Sequence, residues 1–180
     1  MIDKLSIKKI AAAFRQVGWI SFWSQVVLGV ISSLILLFAS LSANFGQASR
    51  QNPGSGFGFL FAIAGLVALY MAIFWAFRYT RLGRSLEASE EGARPSRAEA
   101  LQLVRQGLWV SLTGMVLILI GSQAIVGSLV AKSFQQAGVL DVNDLVEPLD
   151  LFVVQANTNA TTAHFVGIVS SLWLLNRISR

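Results

Sequence analysis

Residues 19–41 read WISFWSQVVLGVISSLILLFASL. The run contains no Asp, Glu, Lys or Arg, and it exceeds the ~20 apolar residues a helix needs to cross a hydrocarbon layer of about 30 Å. Three further stretches have the same character: about 56–77, 108–131 and 159–175. Strands of a membrane barrel are about 10 residues long and alternate in polarity, so these runs read as helices, whose backbone groups are satisfied internally. The expected fold class is all-α. A single domain over 1–180 forms a polytopic membrane protein with four transmembrane helices as two hairpins. A first loop (42–55), a polar inner middle loop (78–105) and an acidic outer third loop (132–158) connect them.

Composition narrows the functions. Hydrophobic residues make up 54% and charged residues 13%, against a usual ~25% charged. There is no cysteine and one histidine, which excludes disulfides, thiol nucleophiles and Cys-based zinc or iron–sulfur sites. No glycine-rich phosphate loop and no mid-membrane ionisable group is present. The expectation is a protein that is not an enzyme, with no catalytic residues, no metal, no cofactor and no nucleic-acid partner.

Charge is one-sided. Of the fourteen Lys and Arg residues, Arg50 and Lys132 fall in the first and third loops. Every other one lies before the first span, in the middle loop or in the tail. The positive-inside rule therefore puts both termini and the middle loop on the cytoplasmic or stromal side. Trp19, Trp23, Trp75, Trp109 and Trp173 all fall at the basic ends of the spans, where an indole buries its ring and keeps its N–H at the headgroups. With Arg15, Arg78, Arg81, Arg105, Arg177 and Arg180 they form a rim expected to hold anionic lipid.

Before the first span, Ile7, Ile10, Phe14 and Val17 recur at helical spacing while Lys4, Lys8 and Arg15 point elsewhere. This predicts an N-terminal interfacial amphipathic helix lying on the inner surface, or a docking helix for a partner. Ser96 and Glu99 have the capping-box spacing, so a helix is expected to start at Arg97 and run into the third span. The acidic outer loop, apolar from Val139 to Val154 and interrupted by Pro148, suggests a short amphipathic helix on the outer surface.

Small or polar residues four apart mark the expected packing seams: Ser21, Gln25, Gly29 and Ser33; Ala64, Ala68, Ala72 and Ala76; Gly107, Ser111, Gln123 and Gly127, a row interrupted by Met115 and Leu119; Asn159, Ala163, Gly167 and Ser171. The alanine row either packs inside the bundle or meets a partner or second copy. An Arg-Gln…Trp-x-Ser pattern recurs at Arg15 and Arg105, as a duplicated hairpin would give. Gln25 and Gln123 are the most polar groups well inside the first three spans. His164 is a candidate tetrapyrrole or quinone contact, or a histidine satisfied by neighbouring Asn and Thr residues. On the latter reading His164→Ala leaves folding nearly unchanged.

The run from Phe14 to Val30, FRQVGWISFWSQVVLGV, with Arg78-Tyr79-Thr80-Arg81 in the middle loop, resembles a domain-of-unknown-function family of four-span membrane proteins of cyanobacteria and plastids. That resemblance covers the whole chain and carries no assigned chemistry. It implies a thylakoid, plasma or plastid membrane. The functional expectation is an accessory, assembly or organising factor for a membrane complex, with a membrane-protein partner or homo-oligomer. The alternative is a small transporter or channel subunit with a polar path near Gln25, Gln123 and His164. A sealed bundle favours the first and a continuous polar cavity the second.

Overall fold

The computed structural model describes residues 4–45, 53–88, 95–136 and 148–179, with side chains placed over 7–41, 56–87, 95–134 and 150–179. These residues form four helices: α1 (Lys4–Phe45), α2 (Pro53–Ala88), α3 (Arg97–Gln136) and α4 (Pro148–Ser179). The fold is all-α. α2 and α4 begin on proline, whose missing N–H is no loss at a helix start. α3 begins on a reciprocal capping box: the Glu99 N–H donates to Ser96 Oγ (3.2 Å) and the Ser96 N–H donates to Glu99 Oε2 (3.1 Å).

Each helix packs on its two neighbours in a closed square, α1 on α2 and α4, and α3 on α2 and α4, with α2 and α4 also touching across the diagonal. Arg97 donates to the Ser179 carbonyl at one end (3.1 Å). Lys132 meets Asp150 at the other (3.7 Å). The starts of α1 and α3 and the ends of α2 and α4 therefore share one arginine-rich end.

Burial repeats every seven residues rather than every four. Ala11, Gly18, Gln25, Ser32 and Ala39 are buried on α1, and Gly58, Gly65, Ala72 and Tyr79 on α2. On α3 the series is Gly107, Gly114 and Gly121; on α4 it is Asn157, His164, Ser171 and Ile178. A seven-residue step drifts only ~20° around a helix and keeps one seam facing its neighbours. A four-residue step overshoots by about 40°. This corrects the third expected row. Gly107 and Ser111 are buried, but Gln123 and Gly127 have rotated to the outer face, and nothing lies within 4 Å of where a Cβ on Gly127 would be.

The helices also run further than the apolar stretches. Residues 78–88 continue α2 and 97–105 belong to α3, so most of the expected inner loop is helical; residues 132–136 and 148–158 likewise extend α3 and α4 into the expected outer loop. The reason is a second core cluster beyond the tryptophans, in which Phe14, Tyr79, Ala100, Val104, Leu174 and Ile178 pack together. The N-terminal segment joins it. α1 runs without a break through Trp19, and Ile10, Phe14 and Val17 pack against this cluster rather than leaving the bundle for the membrane surface. Of the expected outer amphipathic helix, the part from Val139 to Val146 lies outside the described residues, and Leu149 to Val154 form the first turns of α4.

Among the described residues, three helices are long and apolar enough to cross a membrane: α1, α2 and α3. α4 is long enough, at 32 residues, but it carries Asn157, Thr158, Asn159, Thr161, Thr162 and His164. Large apolar side chains such as Leu34, Phe38, Leu60, Val67 and Val116 point outward, the pattern of a bundle whose solvent is lipid.

Candidate functional site

The heptad face of α4 carries a seam of polar side chains down the bundle interior. At the arginine-rich end, Ser171 Oγ lies 3.1 Å from the Tyr79 hydroxyl, which donates to the Val104 carbonyl (3.4 Å). One phenol thus joins α2, α3 and α4. Deeper in, Gln25 donates from Nε2 to Ser21 Oγ (2.7 Å). A Cβ on Gly167 would meet Ser111 Oγ at 2.7 Å and Gln25 Nε2 at 3.1 Å. Ser21 and Ser111, equivalent in the repeated Arg-Gln…Trp-x-Ser pattern, are both buried here.

Further along, His164 is wholly buried. Its Nε2 lies 3.1 Å from the Gly65 carbonyl oxygen of α2. A carbonyl only accepts, so Nε2 carries the proton and Nδ1 is a bare acceptor. The imidazole lies directly over Gly114 of α3, where a Cβ would overlap the ring, with the Ala68 methyl beside it. Its partner is therefore a backbone group two helices away, not the adjacent polar cluster: Gln155 donates to Asn159 (3.0 Å), and Thr161 and Thr162 bond carbonyls one turn back. Last in the seam is Asn157, wholly buried, beside the carbonyl of Ala156 that accepts from Ser32 (2.9 Å).

Four buried atoms in this seam have no partner among the described residues: Gln25 Oε1, both amide atoms of Asn157, and His164 Nδ1. Each such group costs roughly 1–3 kcal/mol relative to being paired. Direct contact between α2 and α3 closes the seam along that interface. A Cβ on Gly65 would meet Ile118 at 2.9 Å, and one on Gly121 would meet the Gly58 carbonyl at 2.8 Å. Gln123 takes no part, because it lies on the outer face.

The other predicted packing residues are distributed unevenly. Gly29 packs on Leu69, and Ser33 Oγ, half-buried, lies 2.6 Å from the Tyr70 hydroxyl. Ala72 and Ala76 are buried inside the bundle while Ala64 and Ala68 are half-buried, so the alanine row faces inward. Tyr79, Gly114 and Ser32 were not anticipated, and their seven-residue spacing on the seam was the available signal; Thr80, buried against Gly18 of α1, lies one residue off that series.

At the arginine-rich end the tryptophans form a rim. Trp23, Trp109 (66%) and Trp173 are exposed, while Trp19 and Trp75 are half-buried. Trp19 and Trp23 stack at 6.1 Å. Arg15 pairs with Glu87 of α2 (3.0 Å), and Arg78 sits over the Trp75 ring at 4.5 Å. Arg78, Arg81, Arg105 and Arg177 are all exposed, and Arg180 lies outside the described residues. Between the end of α2 and the start of α3 a cleft of about 600 Å³ is lined by Arg78, Arg81, Leu82, Arg84, Pro95 and Leu103.

A membrane-facing helical bundle with a polar, glycine-closed interior and a basic aromatic rim at one end is a multi-pass membrane protein. The chain belongs to the family described as Protein of unknown function (DUF3611), whose model matches residues 4–179. It is similar to Protein TIC 21, chloroplastic, of Arabidopsis thaliana, at 33% identity over 181 residues covering 96% of this chain. The chain spans 59% of that relative's length. The plastid and cyanobacterial family resemblance read from the sequence therefore holds. No solved structure matches.

Proposed function

We propose that this chain is a non-enzymatic accessory, assembly or organising subunit of a membrane complex in a photosynthetic membrane. α4 forms the fourth span, and both termini face the cytoplasm or stroma. The observation that carries this reading is the closure of the seam. The backbones of α2 and α3 approach as closely as glycine allows at Gly58–Gly121 and Gly65–Ile118, and the His164 side chain of α4 seats on Gly114 of α3, the packing of a bundle built to hold its shape in lipid. Burial of the polar face of α4 against α1 and α3 explains how so polar a helix can cross. Its outward residues, Leu151, Phe152, Phe165, Val169 and Leu172, are apolar. The fourteen-to-nine excess of basic over acidic residues, gathered at one end, supports the orientation.

The test is affinity purification of the tagged protein from its host in mild detergent, with mass spectrometry and an absorption spectrum of the eluate. Stoichiometric co-purifying subunits of one complex, or a stable homo-oligomer, are expected. A monomeric protein recovered alone rejects the proposal.

A second reading rests on the four unpartnered polar atoms of Gln25, Asn157 and His164. They line one axis of the bundle, as the walls of a path for a polar solute would if the helices part. Solute flux through liposomes containing the purified protein, lost in Asn157→Leu, decides for that reading.

A further inference from the structure

Arg78, Arg81 and Arg84 converge on the cleft between α2 and α3, and among the described residues no carboxylate pairs with any of them. Among the described residues Glu99 lines the adjoining depression with Trp75, Gln102 and Gln106. Its carboxylate already accepts the Ser96 N–H. Other arginines at this end are engaged: Arg15 with Glu87, and Arg97 with the Ser179 carbonyl. Three guanidinium groups on the outer face of α2, Arg78 lying 4.5 Å from the Trp75 ring and Arg84 6.0 Å from the Trp19 ring of α1, make a preformed receptor for an oxyanion.

The surroundings of the cleft identify what carries that oxyanion. Its floor is apolar, formed by Leu82, Leu103 and Pro95. The α2 face that bears Arg78 continues toward the membrane centre as an exposed apolar ridge of Val67, Met71 and Phe74, spaced four and three residues apart. Arg78 itself lies 6.0 Å from the Phe74 ring. From Arg78 to Arg84 the helix rises about 9 Å, comparable with the ~5–8 Å depth of a headgroup layer. Ser85, Gln102 and Gln106 add neutral donors and acceptors at the mouth. A head that is anionic and hydroxylated, continuous with a chain that is apolar, satisfies all of these at once.

We propose that this cleft binds one anionic membrane lipid of the phosphatidylglycerol type. Arg78, Arg81 and Arg84 hold the phosphate, Gln102 and Gln106 face the polyol, and an acyl chain lies along Val67, Met71 and Phe74. The site rests on the reading that the arginine-rich end lies at a membrane surface.

The test uses the full chain purified in neutral detergent and titrated with dioleoylphosphatidylglycerol or dioleoylphosphatidylcholine. Native mass spectrometry counts retained lipids, and thermal unfolding reports binding. The wild type retains one phosphatidylglycerol in preference to phosphatidylcholine. The triple variant Arg78→Gln, Arg81→Gln, Arg84→Gln weakens that binding about a hundredfold, since the phosphate loses all three of its cationic partners. Lys8→Gln with Lys9→Gln, exposed residues away from the cleft, leaves it unchanged. Ser85→Phe fills the cleft without altering charge, lowers binding similarly, and serves if the triple variant does not fold. Equal loss in the lysine variant overturns the site in favour of diffuse attraction. An equal thermal shift from inorganic phosphate at matched concentration overturns the lipid assignment. Failure of the protein to insert into phosphatidylcholine liposomes refutes the membrane reading itself, whereas insertion without lipid selectivity refutes only this site.

Discussion

The imidazole of His164 on α4 rests directly on the backbone of Gly114 on α3 while its Nε2–H reaches past to the Gly65 carbonyl of α2. The sole histidine of the chain is thus a three-helix contact. Gly114→Ala places a methyl inside the ring, and overpacking of this kind costs about 1–3 kcal/mol. Gly127→Ala faces open space and should be close to neutral. Thermal unfolding in detergent should separate the two variants by several degrees; equal midpoints would contradict the packing.

His164→Ala follows from the same contact, and the expectation formed from sequence changes. The side chain is fully buried and hydrogen-bonded, so its removal leaves a cavity and an acceptor short of a partner. A loss of roughly 2–4 kcal/mol is expected, in the range of large-to-small core changes. Wild-type stability in the variant would place the histidine outside the packed seam.

Tyr79 and Gly107 offer a double-mutant cycle. A Cβ on Gly107 would overlap the Tyr79 hydroxyl. Tyr79→Phe alone removes the bonds to Ser171 and Val104 and costs about 1 kcal/mol. Gly107→Ala alone should cost more, and less in the Tyr79→Phe background than in the wild type. Additive losses measured by unfolding would show that the two sites do not touch.

Asn157 separates the structural reading from the transport reading. Both amide atoms are buried and have no partner among the described residues, so Asn157→Leu, similar in size and apolar, should raise the unfolding midpoint. Complex assembly should be retained. A variant that is more stable yet abolishes liposome flux would move the function to a solute path.

The start of α3 depends on two short side chains. Ser96→Ala removes the acceptor for the Glu99 N–H and should cost about 1 kcal/mol. Hydrogen exchange should quicken in the first turn of α3 while the spans stay protected; uniform change along the helix would contradict a local cap.

Much of this was legible in the sequence because lipid imposes simple rules. The apolar runs of α1, α2 and α3, the capping box at Ser96 and Glu99, and the shared end of the tryptophans all follow from local composition. The face of each helix did not. Gln25 and Gln123 are chemically identical, yet the first is buried against Ser21 and the second faces outward. Counting in fours carries a row about 200° around a helix between Gly107 and Gly127. Sevens would have kept Gly107, Gly114 and Gly121 together. The length of the helices was also hidden, because hydropathy reports where lipid lies. Arg78, Arg81 and Arg84 made residues 78–88 look like a loop, although Tyr79, Leu82 and Leu86 on the other face were packing into the second cluster.

That second cluster has a mechanical consequence. Past Trp19, Trp75 and Trp109 the helices continue for about 20 Å at 1.5 Å per residue, with no break in α1, α2 or α3 and no residue of positive φ along the described backbone. The protruding part therefore shares its axis with the part in lipid, and there is no hinge between them. Whatever grips the stalk sets the tilt and rotation of the whole bundle, and a change in tilt imposed by the bilayer is delivered undiminished to anything bound at its tip.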